Sequence, residues 1–167
     1  MVLMEISENH ISIHKTARYY TAGDFSKNTK NIWFVLHGYS QLAGDFIRQF
    51  DYLLNPSSAI VAPESLSRFY INNNVGASWM TKEDRVNEIN DYIHYLDKIL
   101  SEILINTSSS ISVNLLGFSQ GAHTAARWFI LGEHYFKMLI LCSSDFPKDA
   151  DFSSFRKKLA NSKFYYM

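Results

Sequence analysis

Cysteine is almost missing from this sequence. Cys142 stands alone, so no internal disulfide can hold the fold, and its apolar surroundings mark it as a buried thiol. Neither sign of charge prevails: 16 Lys and Arg balance 16 Asp and Glu, and no basic stripe is present to hold nucleic acid. No apolar run reaches the roughly 20 residues that cross a bilayer. The opening Met1-Val2-Leu3-Met4-Glu5-Ile6-Ser7-Glu8 is too polar, and its apolar part too short, for a secretory signal. With the lone cysteine, these absences point to a reducing cytoplasm. There is no internal repeat or linker, and the one low-complexity patch, Asn106-Thr107-Ser108-Ser109-Ser110, reads as a loop. No carboxylate or cysteine stands at metal-ligand spacing from His10 or His14, which read as solvated residues; no metal and no cofactor are expected. What remains is 167 residues, 47% apolar and 19% charged, enough for one domain with a core of its own.

The most informative stretch is Leu115-Leu116-Gly117-Phe118-Ser119-Gln120-Gly121-Ala122. It reads Gly-x-Ser-x-Gly, between an apolar strand-like run (Ile111 to Leu116) and a helix-like run (Ala122 to Leu131). A strand that reverses sharply into a helix leaves its turn residue in a strained conformation with the side chain projecting outward, and flanking glycines are needed where a Cβ would collide with neighbouring elements. Ser119 is therefore a candidate nucleophile. The N–H of Gln120, at the start of the helix, would face an oxyanion formed on attack. By composition alone, a chain of this length holds such a pattern about one time in twenty; the strand before it and the small-residue helix after it give the match its weight. A second motif follows the apolar run Ile32-Trp33-Phe34-Val35-Leu36, namely His37-Gly38-Tyr39-Ser40. Here the backbone N–H of Tyr39 is the other oxyanion donor, while His37 holds the loop by hydrogen bonding and does not act as a base.

Taken in order, Glu5 to Tyr20 alternates loosely and predicts two N-terminal strands in a hairpin with a turn near Glu8-Asn9-His10. Leu42 to Leu54 has helical periodicity and is ended by Asn55-Pro56. Ser58 to Ala62 is a short buried strand. Pro63 to Met80 has no clear period, and so long a loop leaving a strand end suggests a substrate cleft lined by Tyr70 or Trp79. That these aromatics simply pin the loop to the core is an equal alternative. Thr81 caps a helix with Glu83 and Asp84 in its first turn and a buried stripe from Val86 to Ile103. His94 lies off that stripe, at the surface. His123, one turn beyond Ser119, packs or lines the pocket wall. Met138 to Cys142 is a strand, Phe152 to Leu159 a helix, and Lys163 to Met167 a final strand. The order is a hairpin, then five strands separated by four helices: an α/β pattern with a largely parallel sheet.

Four segments carry a family resemblance: Leu36-His37-Gly38-Tyr39, Val61-Ala62-Pro63-Glu64, Ala77-Ser78-Trp79-Met80 and Leu116-Gly117-Phe118-Ser119-Gln120-Gly121-Ala122. In these the chain resembles the phospholipase/carboxylesterase branch of the α/β-hydrolase superfamily. The resemblance implies an α/β-hydrolase sheet, hydrolysis of carboxylic esters (in some branches lysophospholipids or thioesters), a Ser–Asp–His triad and no metal. It makes Ser119 the nucleophile and the Tyr39 and Gln120 amides the oxyanion hole. The triad acid of this branch follows the strand after the one holding Cys142, and the His follows a further strand; both would fall beyond Met167, and no His follows His134. The expectation is thus a single domain over 1–167, incomplete at its C-terminus and lacking the last strand and helix. The chain as given would be nearly inactive, and its full-length parent an active carboxylesterase. Asp145, at a strand end, is an alternative acid; neither His134 nor His37 is a convincing base. Only Ser143 to Ala150 separate the Cys142 strand from the next helix. That leaves no room for a lid, so an open cleft for soluble short- or medium-chain esters is expected. The competing reading is a non-catalytic binding protein on the same scaffold. Oligomeric state is not legible.

Overall fold

Runs of apolar residues too continuous for a half-exposed strand form the centre of the molecule. The computed structural model describes residues 4–167. Five of its strands run parallel: β2 (Asn31–Leu36), β3 (Ser58–Pro63), β6 (Ser112–Phe118), β7 (Met138–Cys142) and β8 (Lys163–Tyr166). A short strand, β1 (Tyr19–Ala22), pairs antiparallel with β3, and the sheet order is β1-β3-β2-β6-β7-β8. At its centre Phe34 lies opposite both Val61 and Leu115. Alternation along β2 divides its residues between the two faces. Ile32, Phe34 and Leu36 join one cluster with Tyr92, Leu96, Leu100, Trp128, Phe129 and Phe155. Trp33 and Val35 join another with Phe46, Phe50 and Ile60. Helices α2 (Arg85–Leu104), α3 (Gln120–Leu131) and α4 (Phe152–Leu159) supply the first face, and α1 (Ala43–Phe46) with the 3-10 turn behind it the second. Covering on both faces is what an all-apolar parallel strand requires.

The antiparallel hairpin is present, but in a different place from that expected. Residues 4–18 carry no regular secondary structure, and Ile11 and Ile13 are 88% and 80% exposed. The N-terminal segment contributes one strand, β1, because β3 offers it a free edge, whereas residues 4–18 have no strand to pair with. The hairpin is instead β4 (Ser67–Ile71) with β5 (Asn74–Ser78), inside the stretch that looked aperiodic. Its two-residue turn is Asn72-Asn73, both at positive φ (46° and 66°), the conformation whose twist matches paired strands and that asparagine tolerates.

Two helix boundaries also shift. The expected helix over 42–54 breaks at Phe50 (φ −117°, ψ 16°), leaving one short α-turn and a 3-10 segment, Ile47–Leu53. Thr81 does not cap α2. The helix begins at Arg85 after Asp84 in the left-handed region (φ 46°), and the acid in its first turn is Glu88, which reaches back to the Thr81 hydroxyl at 3.2 Å. No helix among the described residues is long and apolar enough to cross a membrane.

Candidate functional site

Ser119 sits where β6 ends and α3 begins, with φ 53° and ψ −118°. A non-glycine residue held there costs about 1–3 kcal/mol, and the surroundings show what enforces it. A Cβ on Gly117 would lie 2.3 Å from the Gly121 carbonyl oxygen, and one on Gly121 would lie 2.3 Å from that of Leu36. Only a chain without side chains at both points can bend so tightly against β2. The Ser119 N–H donates to the Cys142 carbonyl at 2.9 Å, and the Ser119 carbonyl accepts from Ala122 N–H at 2.9 Å. The elbow is thereby tied to β7 and to the first turn of α3, while its side chain stays partly exposed.

Because β2, β3, β6 and β7 are parallel, the segments that leave them meet at one end of the sheet. The loop after β2 lies against the elbow: a Cβ on Gly38 would stand 3.3 Å from Ser119 Cβ. Gln41 Oε1 accepts the Gly38 N–H at 2.7 Å, and the Ser40 N–H donates to the Ala77 carbonyl at 2.9 Å. Among the described residues, the N–H groups of Tyr39 and Gln120 have no hydrogen-bond partner. They are the two groups that the sequence nominates as oxyanion donors. The Gln120 side chain is fixed on both atoms, its Nε2 donating to the Met80 carbonyl (2.8 Å) and Ser78 Oγ (3.0 Å) and its Oε1 accepting the Trp79 N–H (3.0 Å). This clamp between α3 and the end of β5 was not legible in the sequence, because its partners lie some 40 positions apart.

His37 has the role expected of it. The ring is fully buried. Nδ1 lies 2.8 Å from the Gly38 carbonyl, and Nε2 accepts the Ser65 N–H at 3.1 Å, so the proton belongs on Nδ1. Burial lowers its pKa against smaller opposing effects of the Gly38 carbonyl and Glu64, which keeps the ring neutral.

The two aromatic residues nominated for the cleft part company. Trp79 is 2% exposed, its indole donating to the His37 carbonyl at 2.8 Å and its ring lying 5.1 Å from the imidazole; it pins the loop. Tyr70 is 84% exposed, and its neighbour Phe69 stacks on the half-exposed Tyr39 ring at 5.2 Å. Adjacent strand residues face opposite ways, so it is Phe69 that meets the loop after β2.

The other polar candidates fall as follows. His123 Nε2 lies 2.9 Å from Ser144 Oγ, and its pKa is lowered, first by burial and then by Arg127. Asp145 follows β7 at the same end of the sheet and is exposed, its carboxylate 3.4 Å from the Tyr166 hydroxyl. His134 lies in the loop before β7, at the opposite end, bonded to Ser101 Oγ at 3.0 Å. Burial pushes the Cys142 thiol up. One ionic cluster was not foreseen. Arg127, 5% exposed, grips Asp149 with two hydrogen bonds (2.8 and 3.1 Å), and Arg85 adds a contact of 2.6 Å. The Arg127 hydrogen bonds hold the Asp149 carboxyl far below the usual carboxylate range. The cluster ties α2 and α3 to the loop after β7 that carries Ser144 and Asp145. Folding also brings Asp84 beside His10 and Glu8 (3.3 and 3.2 Å from the ring), a proximity sequence spacing could not show. All three are exposed, and they lie on the N-terminal segment and the start of α2.

No family model and no curated protein matches the sequence. Solved structures do match. Acyl-protein thioesterase 2 of Zea mays superposes with a TM-score of 0.65 at 14% identity, over 90% of this chain and 75% of that one. Esterase PE8 gives 0.63 at 22% identity, over 90% and 71%. The Bacillus cereus carboxylesterase gives 0.61 at 11% identity, over 90% and 84%. The three named here are two esterases and a thioesterase. At these identities the likeness concerns the backbone, and with the parallel sheet and its flanking helices it establishes that the chain has the α/β-hydrolase fold.

Proposed function

We propose that the protein is a serine hydrolase of carboxylic esters that forms an acyl-enzyme on Ser119, residues 1–167 belonging to a single hydrolase domain. The observation that carries this reading is the conformation of Ser119 at φ 53° beside two N–H donors without partners. In the proposed reaction Ser119 Oγ attacks the ester carbonyl carbon, and the oxygen gathers negative charge that the Tyr39 and Gln120 amides stabilise. The alcohol leaves with a proton, and water then releases the acid. Thioesters suit the same chemistry, and the fold is shared with a plant acyl-protein thioesterase. The short segment between β7 and α4 supports an open cleft for short- or medium-chain esters, and the lone cysteine supports a cytoplasmic setting.

The weak point is the proton acceptor. Both His37 nitrogens are committed, His123 faces Ser144, and His134 lies at the far end of the sheet. Without a base, Ser119 relies on its oxyanion donors and on binding, which sustain about 10³–10⁴-fold catalysis over water. Slow acylation and low turnover are therefore expected of this chain. The engagement of these imidazoles elsewhere is also what favours the second reading, a binding protein on a hydrolase scaffold. Incubation with a fluorophosphonate decides between them. Covalent labelling that disappears in Ser119→Ala supports the hydrolase, and absence of labelling at high reagent concentration supports the binding protein.

A further inference from the structure

A second polar site lies on the other side of the β4–β5 hairpin from Tyr39 and does not depend on the hydrolase reading. Glu64, at the end of β3, is 2% exposed. Its Oε1 accepts from Arg18 Nε at 2.6 Å and lies 3.5 Å from Arg68 Nη1. Lys15 borders the same cleft and donates to the Leu66 carbonyl. Three cations thus line a cleft that holds one carboxylate, an excess of two positive charges. Both arginine side chains are nearly half exposed (45% and 44%) and keep N–H donors that Glu64 does not use. Ser65 lines the cleft too. It is 3% exposed, and its hydroxyl has no hydrogen-bond partner. A buried polar group left without a partner is costly, and such groups are rare unless something fills the gap. The inner void measures about 10 Å³, which is room for one oxygen atom and little more.

We propose that this cleft binds a small oxyanion, a carboxylate or phosphate group, which places one oxygen on Ser65 Oγ while Arg18 and Arg68 hold the others at the rim. Planar guanidinium donors suit both groups. The cleft admits one oxygen of the anionic group, so the rest of that group stays at the rim and the remainder of any larger molecule in solvent. The Ser65 N–H is bonded to His37 Nε2, and His37 holds the Gly38 carbonyl. An occupied cleft therefore bears on the loop that carries Tyr39.

The test is a titration of the whole chain, followed by amide NMR at constant ionic strength with chloride as the balancing ion. Inorganic phosphate and acetate are the two probes. Saturable shifts of the Ser65 and Leu66 amides with either probe are expected. Saturation by phosphate alone identifies a phosphate-group site, and saturation by acetate alone a carboxylate site. Arg68→Gln, on the surface hairpin, should weaken binding at least tenfold. Ser65→Ala, which removes the orphan hydroxyl and leaves its backbone bond to His37, should weaken it severalfold without lowering the melting temperature. Linear, unsaturating shifts with both probes would overturn the proposal, and so would Arg68→Gln and Ser65→Ala proteins that titrate like the parent. The same titration on Ser119→Ala should match the parent, which separates this site from the fate of the hydrolase reading.

Discussion

The indole N–H of Trp79 donates to the backbone carbonyl of His37 at 2.8 Å. One bond thus joins the end of the β4–β5 hairpin to the loop that presents the Tyr39 amide. Trp79 also packs edge-on against Tyr92 of α2, so the loop is anchored to the main core. Trp79→Ala should cost about 3–5 kcal/mol through the cavity and the lost bond. Trp79→Phe should cost about 1–2 kcal/mol, because the ring is largely replaced but the His37 carbonyl loses its donor. Urea denaturation of both proteins measures the pair. A Trp79→Ala protein as stable as the parent would contradict the buried placement.

Strain at Ser119 has its own signature. Ser119→Gly relieves the left-handed backbone and should stabilise the fold by about 1 kcal/mol, while Ser119→Ala keeps the strain and should leave stability nearly unchanged. Both should lose fluorophosphonate labelling. A Gly variant less stable than the Ala variant would mean that the elbow is not strained in solution.

The two elbow glycines and Gly38 should differ sharply. Gly117→Ala and Gly121→Ala drive a methyl group to 2.3 Å from backbone oxygens, which no side-chain rotation relieves, and should yield little folded protein. At Gly38 the new methyl meets the Gln41 side chain at 3.0 Å, Phe118 at 3.1 Å and Ser119 at 3.3 Å, all side-chain atoms. Gly38→Ala should fold and should label at least tenfold more slowly, because the Tyr39 donor is displaced. Circular dichroism with labelling rates separates these outcomes.

Stability should fall as the medium is acidified through the histidine range. The folded pKa of His37 lies below its ordinary value near 6.5 because the ring is buried. Between those two values the unfolded chain binds the extra proton and the folded chain does not, so stability rises with pH there. The contribution is complete above about 6.5 and is lost as pH drops toward the folded value. His123 adds the same sign more weakly, being partly exposed. The carboxylate of Asp149 behaves similarly but lower, its stabilisation present above the ordinary carboxylate pKa and lost below it. Urea midpoints at pH 7.5 and 5 should therefore differ, and His37→Gln should flatten most of the difference.

Asp149→Asn should destabilise by about 2–3 kcal/mol. It leaves Arg127 buried without its counter-charge, a cost that the 40% exposure of the Asp149 side chain reduces from the fully buried value. The loop after β7 should loosen with it, and faster amide exchange at Ser144 and Asp145 is the local readout.

Much of this molecule could be read from the order of its residues, and the reason is periodicity. The strands at Asn31–Leu36, Ser58–Pro63 and Met138–Cys142 are apolar on both faces, and α2 carries a buried stripe from Tyr92 to Ile103, so local pattern and global burial agree. The elbow was legible for a different reason: a backbone that must bend at φ 53° between two crowding contacts tolerates glycine at 117 and 121 and little else. The β4–β5 hairpin escaped notice because its strands are short, its turn is Asn-Asn, and neither strand alternates cleanly. The N-terminal segment misled in the opposite sense, since Ile11 and Ile13 alternate as in a strand yet find no partner.

By itself, then, the sequence determined where the chain is apolar, where it can bend and which hydroxyl stands at the bend, because these depend on neighbours within a few positions. Tertiary structure alone decided what each polar group meets. The Gln120 clamp, the His37–Ser65 bond, the Arg127–Asp149 grip and the Arg18–Glu64 pair all join residues more than 20 positions apart. A charge or an imidazole has no strong preference along the chain. Its role is set by whichever partner folding places within about 3 Å of it, and that is a property of the packed sheet.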